Sequence, residues 1–381
     1  MDAPIPMNEL RSAVTKGKPN KVPGGDGISQ DFYKIAWETI KHELLEIVNL
    51  VYVGENFTDK QKHGIIVYIP KTPHSNPPEE YRNLTLLNAD LKLLARILAD
   101  SMSPWITPLL QPSQHCGTHR NTIFDATATV REAIVYTEHS KQPLRILSID
   151  FKEASDNISH SYLFTLLTTY GLSARFNACI QGMYSNTTSF ILINGHISGP
   201  IPIKSSVRQG CPQNMQFFAL CLDPLFRALE NSPAGIRFGN NTTKTAVIAY
   251  ADLVTLLLTS PSEIPRIGTT IDQYGAASAA KISISKSKAL TVGAWDISVD
   301  IMGIQYQTEM KILGAHITNS VKPSAQNSWT KLTGVLTAQA RDAYARELCL
   351  AKRIQYVHTY LLARALYISE IFRCQQTGRV K

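Results

Sequence analysis

Residues 245–260 read TAVIAYADLVTLLLTS, one acidic residue, Asp252, set between two apolar runs and followed at once by Leu253. The β-favouring residues on either side, Val247, Ile248 and Tyr250 before and Val254, Leu256 and Leu258 after, fall partly at period two and predict two strands joined by a tight turn. Such a turn favours Asn, Asp or Gly, which tolerate positive φ or bond their own backbone. Leu253 does neither and is a poor local fit. The plain reading is an aspartate closing an ordinary hairpin, and the rest of the chain has to decide whether the carboxylate does more.

The 381 residues can bury a sizeable core. A hydrophobic share of 44% with 18% charged residues excludes a disordered chain. The net charge of +8 favours polyanionic partners. Six cysteines, at 116, 179, 211, 221, 349 and 374, are scattered without a CxxC pair, so neither a zinc ribbon nor a disulfide framework is indicated and an intracellular, reducing compartment is expected. No apolar run approaches the roughly 18 residues of a membrane span.

Along the chain, a helical start leads to the turn Pro23-Gly24-Gly25-Asp26-Gly27 and then to one long amphipathic helix with Phe32, Ile35, Ile40, Leu44, Ile47 and Val51 on its apolar face. The glycine cluster lacks the Lys-Ser/Thr ending of a phosphate-cradling loop. A strand at 64–71, a Pro-rich loop, and a helix beginning near Asn88 as its cap with a Leu91, Leu94, Ile97, Leu98 stripe come next. Further helices are predicted at 121–138 and 262–281, strands at 144–150 and near 286–292, short strands at 300–317, and a helical final stretch rich in Arg, Lys and Tyr. Two β-like pieces straddle Gly195-His196, and the chain turns helical after Pro212. The elements make a mixed α+β body with a helical tail.

The strand at 144–150, LRILSID, ends in Asp150. Carboxylates are rarely set at the ends of buried strands unless something neutralises them. If this strand neighbours the hairpin, Asp150 and Asp252 converge, and two converging acids need a shared proton or a cation. Hard oxygen ligands without His or Cys point to magnesium, and a pair of ions could clamp an in-line displacement at phosphorus.

In order, the blocks YIPK (68–71), YRNLTLLN (81–88), LKLLARIL (91–98), LSIDFKEASDNISH (147–160), VRQGCPQNMQFFALCLDPLF (207–226), AYADLVTLLL (249–258), SISKSKAL (283–290) and KILGAHI (311–317) resemble, at appropriate spacings, the reverse transcriptases of non-LTR (LINE-type) retrotransposons. KVPGGDGISQDFYKIAWETI (21–40) is similar to that family's extension before the fingers. The resemblance implies a right-hand polymerase fold: an N-terminal helical extension at 1–60, fingers at 61–145, a ferredoxin-like palm with an antiparallel sheet at 146–318 and a helical, truncated thumb at 319–381. It implies an RNA-directed DNA polymerase working by two-metal nucleotidyl transfer on an RNA template, a DNA primer and deoxynucleoside triphosphates, with Mg2+ as cofactor or Mn2+ in its place, and a nuclear or ribonucleoprotein-associated location.

By the same resemblance Asp150 and Asp252 match the metal-binding aspartates. Lys288 matches the lysine that protonates the leaving pyrophosphate. Lys71 and Arg82 match the basic finger positions on the triphosphate, Phe151 a nucleotide-binding position, Ser155 the sugar-pocket position, and Gln209 and Gly210 the turn packed on nucleotide and template. Leu313 and Gly314 match the primer grip.

The chain departs from the family pattern at several of these positions. The tip normally carries a second aspartate where Leu253 stands, and the sugar-gate aromatic is Ser155. Leu-Ser-Pro has become Gln213-Asn214-Met215, the proline after the finger arginine is Asn83, and the asparagine before the fourth motif's lysine is Ser285. Loss of one of three carboxylates removes negative charge from a site built for doubly charged ions, so catalysis is expected to be impaired by roughly 10²-fold or more. The alternative is a non-catalytic RNA or RNA/DNA-binding remnant. Neither an endonuclease-sized domain, a ribonuclease H region nor a Cys/His knuckle is recognisable, so the chain reads as a fragment.

Overall fold

In the computed structural model the described residues are 3–372, apart from 56, 73–76, 117–121, 232–234, 239–243 and 296–299, and apart from the side chain of Glu79. The middle of the Pro-rich loop and the last nine residues, Cys374 among them, lie outside the described residues. The chain divides into two compact units. One comprises Met1–Leu110, Lys152–Pro224 and Gln273–Lys281, the other Gln111–Phe151, Leu225–Asp272 and Ile282–Lys381.

In the first unit the strand Gly64–Pro70 pairs antiparallel with Tyr81–Leu87 and parallel with Thr188–Ile193. The helix Ala89–Leu109 follows, and its expected stripe of Leu91, Leu94, Ile97 and Leu98 is buried. Asn88 stands at the N-cap position, but its side chain makes no capping bond. It donates to the carbonyls of Lys60 (3.0 Å) and Gln61 (3.3 Å) and accepts from the Asp26 amide (3.4 Å), tying the glycine turn to the start of the sheet. Gly24 packs so closely on it that an added Cβ would lie 2.1 Å from Asn88 Oδ1, so a side chain is excluded there.

The single long helix predicted for the amino-terminal part is two helices, Gln30–Ile35 and Trp37–Tyr52, broken at Ala36. Its inward face is Tyr33, Trp37, Leu44, Val48, Val51 and Tyr52, while Phe32, Ile35 and Ile47 are exposed. The large aromatics Tyr33 and Trp37 bury more area than the aliphatics and set the rotation of the face. The β-like pieces around residue 195 also differ from expectation. The turn is Asn194-Gly195, both at positive φ, which puts His196 in a strand opposite Ile193. Beyond it only Ile201–Pro202 is strand.

The second unit is built on an antiparallel sheet whose central strand, Leu144–Lys152, lies between Leu253–Leu258 and Lys288–Val292, with Val247–Tyr250 outermost. Leu144 to Ile149 are all buried, so this strand is covered on both faces. One face carries Ile146, Ile248, Leu257, Leu290 and Val292 into an apolar cluster shared with the Ile123–Ser140 helix, the hairpin Glu309–Ile312/Ala315–Thr318 and the carboxy-terminal helices. The mixed α+β class read from the sequence is the observed one.

Gln213 is 0% exposed, and neither its Oε1 nor its Nε2 has a hydrogen-bond partner among the described residues. A buried amide of this kind costs about 1–3 kcal/mol for each unsatisfied group. Gln213→Leu is therefore expected to raise the urea midpoint of the folded chain at unchanged slope, and a lowered midpoint would contradict the assignment.

Candidate active site

The second unit holds the acidic edge. Tyr250 and Leu253 are paired directly, so the hairpin turn consists of Ala251 and Asp252 alone. Leu253 is therefore the first residue of a strand and not a misplaced turn residue, contrary to the sequence reading. The strain of the tight turn falls on Ala251, at φ 54. Leu253 is also paired with Asp150 on the central strand. Directly opposed residues of an antiparallel pair lie side by side on one face, with Cα atoms roughly 4.5–5.5 Å apart. The neighbour of the Asp150 carboxylate on this strand is thus an isobutyl group, packed against the apolar cluster, with exposed Asp252 one residue beyond it.

Asp150 is fixed from its other side as well. Its amide donates to Ser287 Oγ (3.1 Å), its carbonyl accepts from the Ser283 amide (2.8 Å), and Ser287 Oγ donates to the Ser283 carbonyl (2.8 Å). The turn that makes these bonds runs directly into Lys288, which pairs with Ser148. Lys288 and Asp150 therefore project from the same face, displaced along the strand by roughly 7 Å. Phe151 is 5% exposed and points to the opposite face, which leaves only its backbone on the side of Asp150.

Two carboxylates at one end of one sheet are a donor set that magnesium accepts together with substrate phosphates. Leu253 adds no oxygen to it. Among the described residues no group of three or more His, Cys, Asp or Glu is arranged to enclose a metal ion.

Leu313 and Gly314, at φ 49 and 99, form the two-residue turn between paired Ile312 and Ala315. The Tyr367 hydroxyl donates to the Leu313 carbonyl and also bonds Thr127 Oγ1 (3.2 Å), so the turn is clamped by a carboxy-terminal helix of its own unit.

The first unit holds the remaining expected residues. Lys71 extends the hairpin ladder by donating its amide to the Glu80 carbonyl (2.8 Å), and Arg82 is exposed on the facing strand opposite Ile69. Gly210, at φ 113, approaches the Thr85 carbonyl so closely that a Cβ would lie 2.6 Å from it, and the Gln209 carbonyl accepts from the Thr85 amide (2.9 Å). Glycine is thus required there by the neighbouring strand itself. The Gln209 amide Nε2 lies 2.8 Å from Asp156 Oδ2, 3.3 Å from Ser155 Oγ and 3.4 Å from Asn83 Oδ1. Ser206 Oγ donates to Asp156 Oδ1 (3.0 Å).

Sequence reading singled out Gln209, Ser155 and Asn83 separately but missed Asp156, on which the Gln209 amide is anchored. The available signal was a second aspartate six residues after Asp150 in the same short block, which local pattern alone makes indistinguishable from a solvated loop aspartate. Burial pushes the Asp156 carboxyl above its usual value and the Glu153 charge adds to this, while hydrogen bonds from Asn83, Ser206 and Gln209 oppose it.

A model of the family described as reverse transcriptase (RNA-dependent DNA polymerase) matches residues 69–317. The chain is similar to the Transposon TX1 uncharacterized 149 kDa protein of Xenopus laevis, 24% identical over 374 residues, which covers 96% of this chain and 28% of that protein. It is also similar to the retrovirus-related Pol polyprotein from type-1 retrotransposable element R2 of Popillia japonica, 25% identical, with 76% of this chain and 40% of that protein covered. The corresponding type-2 element R2DM protein of Drosophila melanogaster is 27% identical, with 71% and 25% covered. The chain thus spans well under half the length of these relatives. Among solved structures, telomerase from Candida tropicalis in complex with the TWJ fragment of telomeric RNA aligns with 77% of this chain and 48% of that one at a TM-score of 0.49 and 11% identity.

A carboxyl whose folded pKa is raised binds more protons folded than unfolded, so it costs stability as pH rises from the usual carboxyl value through the folded one. Asp156→Asn removes that contribution. The variant is expected to show a shallower loss of stability over the mildly acidic range than the parent in urea melts, and an unchanged pH slope would refute the buried charge.

Proposed function

The chain belongs to the reverse transcriptase (RNA-dependent DNA polymerase) family, and from that premise we propose that it is the polymerase domain of a non-LTR retrotransposon protein whose catalysis is impaired. The observation that carries this reading is the Leu253–Asp150 register, with Asp252 at the adjoining turn. In the proposed division, fingers span 61–145, palm 146–318 and thumb 319–381, and the partners are an RNA template, a DNA primer and deoxynucleoside triphosphates, in the nucleus or a ribonucleoprotein. No helix among the described residues is long and apolar enough to cross a membrane.

In this reading Asp150 and Asp252 hold magnesium, or manganese in its place. When bound, the metal supplies positive charge against the substrate phosphates and the primer oxygen. Lys71 and Arg82 bind the triphosphate as exposed cations on one hairpin. Gln209, held by Asp156 and Ser155, packs with Gly210 on nucleotide and template, Ser155 takes the sugar-pocket position, and Phe151 contributes its backbone. Lys288, on the same sheet face as Asp150, carries the proton for departing pyrophosphate. Leu313 and Gly314 form the primer turn.

A second reading, a binding module that retains RNA or RNA/DNA affinity without catalysis, is favoured by one feature. Leu253 fills the space beside Asp150 with an apolar group packed against the core, and among the described residues no group of three acidic or other metal-binding side chains is arranged to balance the charge of the ions. Primer extension on an RNA template separates the two readings. Leu253→Asp is expected to raise the extension rate by roughly 10²-fold or more over the natural chain, and adding Asp150→Asn to that variant is expected to abolish it. Extension by the natural chain equal to that of Leu253→Asp would overturn the impaired-polymerase reading. Template-primer binding without extension in any variant would favour the binding module.

A further inference from the structure

The hairpin Glu309–Ile312/Ala315–Thr318 is anchored at its base and at its tip by different helices of its own unit. At the base, the His316 amide donates to Ser328 Oγ (2.9 Å) and Asn327 Nδ2 donates to Glu309 Oε2 (2.7 Å), both partners standing on the helix Val321–Ala345. At the tip, the Tyr367 hydroxyl meets the Leu313 carbonyl. Leu313 and Gly314, at φ 49 and 99, have the two adjacent positive φ values of a primed two-residue turn, for which Asn-Gly is the favoured pair. Leucine is a poor choice for the first of these positions, because in the left-handed conformation its Cβ crowds the following carbonyl oxygen. The residue in the disfavoured conformation is thus the one whose carbonyl Tyr367 holds.

Tyr367 is itself held rigidly. Its ring lies 5.3 Å from that of Phe124, centroid to centroid, and so close to the turn that a Cβ on Gly314 would stand 3.3 Å from its Cε1. Its helix, Ala363–Ile371, docks through buried Ile368 and Ile371, and the Ile371 carbonyl accepts from Arg131 Nη1. Phe124, Arg131 and Thr127, whose Oγ1 bonds the Tyr367 hydroxyl (3.2 Å), all belong to the helix Ile123–Ser140. Burial pushes the Tyr367 hydroxyl above its usual pKa, so it stays a donor through the neutral range. Tyr367 and Leu313 pack against the same apolar cluster as Tyr250 and Leu253 of the acidic hairpin. The tip of the turn and the strand ends that carry the carboxylates therefore rest on one core, and Tyr367 is the polar link that fixes the tip to it.

We propose that Tyr367 is a positioning residue: its hydroxyl holds Leu313 in the left-handed conformation and so sets where the Leu313-Gly314 backbone meets the primer strand. It touches no substrate and acts only through the turn. The assignment rests on the polymerase reading for the identity of the strand that the turn meets. Its physical content is that a turn of unfavourable sequence keeps its shape because one hydroxyl from another helix supplies what Asn-Gly would supply locally.

The test uses the full chain with two readouts. The first is single-nucleotide extension of a DNA primer on an RNA template by the Leu253→Asp chain. Adding Tyr367→Phe, which keeps the ring and removes the hydroxyl, is expected to lower kcat about tenfold, because small displacements of a positioned reactant are costly. The KM for the incoming nucleotide should stay within about twofold. Adding Leu313→Asn as well should restore most of kcat, since Asn-Gly holds the turn without the hydroxyl. Thr127→Val, which removes the second partner of the hydroxyl, should give a smaller loss that the same change relieves, and it serves if Tyr367→Phe does not fold. The second readout is the fluorescence of 2-aminopurine at the primer 3′ end, bound to the natural chain. Tyr367→Phe should change that signal and leave unchanged the signal of the same probe placed well inside the duplex. A kcat that does not fall, or one that falls and is not restored by Leu313→Asn, would overturn the proposal, because a residue that only supports the fold would be indifferent to the turn sequence. A 3′-end signal that responds to Tyr367→Phe while the Leu253→Asp chain fails to extend would leave this inference standing as the polymerase reading fell. Extension insensitive to Tyr367→Phe would do the reverse.

Discussion

The antiparallel ladder between Leu144–Lys152 and Leu253–Leu258 is the constraint on which the candidate active site depends. The central strand is buried on both faces, so its register is fixed by packing, and a slip of one residue would turn every side chain to the wrong side. With Ile146, Leu257 and Leu290 locked in the core, Asp150 has to emerge where the strand leaves it, opposite Leu253. The same ladder leaves only two residues for the hairpin turn. Ala251 takes the left-handed conformation because Tyr250 and Leu253 are both committed to pairing.

The residues that the sequence resemblance marks as unusual divide into two physical kinds. Asn83 and Ser155 both meet the Gln209 amide, which is anchored in turn on Asp156, so these two polar replacements are absorbed by one hydrogen-bonded cluster. Leu253 and Gln213 are different. The first places hydrocarbon beside a carboxylate, and the second buries an amide whose two polar atoms have no partner among the described residues. Polar changes that acquire partners preserve a binding surface. A leucine beside Asp150 and a buried Gln213 amide gain no polar partner among the described residues.

Much of the chain was legible because its strongest signals are local. The apolar run ending in Asp150, the hairpin around Asp252 and the leucine stripe from Leu91 all carry their period in consecutive residues, and each formed the expected element. Errors arose where local pattern had two solutions. At Phe32 and Tyr33, or Ile47 and Val48, adjacent apolar residues leave the helix face ambiguous by about one position, and the bulk of Tyr33 and Trp37 decided it. At residues 194–196 two turns compete locally, Gly195-His196 and the usual two-residue signal Asn194-Gly195, and the pairing of Ile193 with His196 selects the second. Asn88 occupies a cap position, but its side chain reaches backbone groups up to 62 residues away, which no local rule reveals.

The sequence by itself determined the α+β class, the family and the strand ends on which the acidic residues stand, because motif order and period-two or helical repetition are written in neighbouring residues. Tertiary structure alone decided that Leu253 lies level with Asp150, that Ser155, Asn83 and Asp156 converge on the Gln209 amide, and that Arg208 is buried with Nε and Nη2 lacking a hydrogen-bond partner among the described residues. Those facts depend on register and on contacts between residues dozens to more than a hundred positions apart. They exist only once the buried strands have fixed which backbone lies beside which.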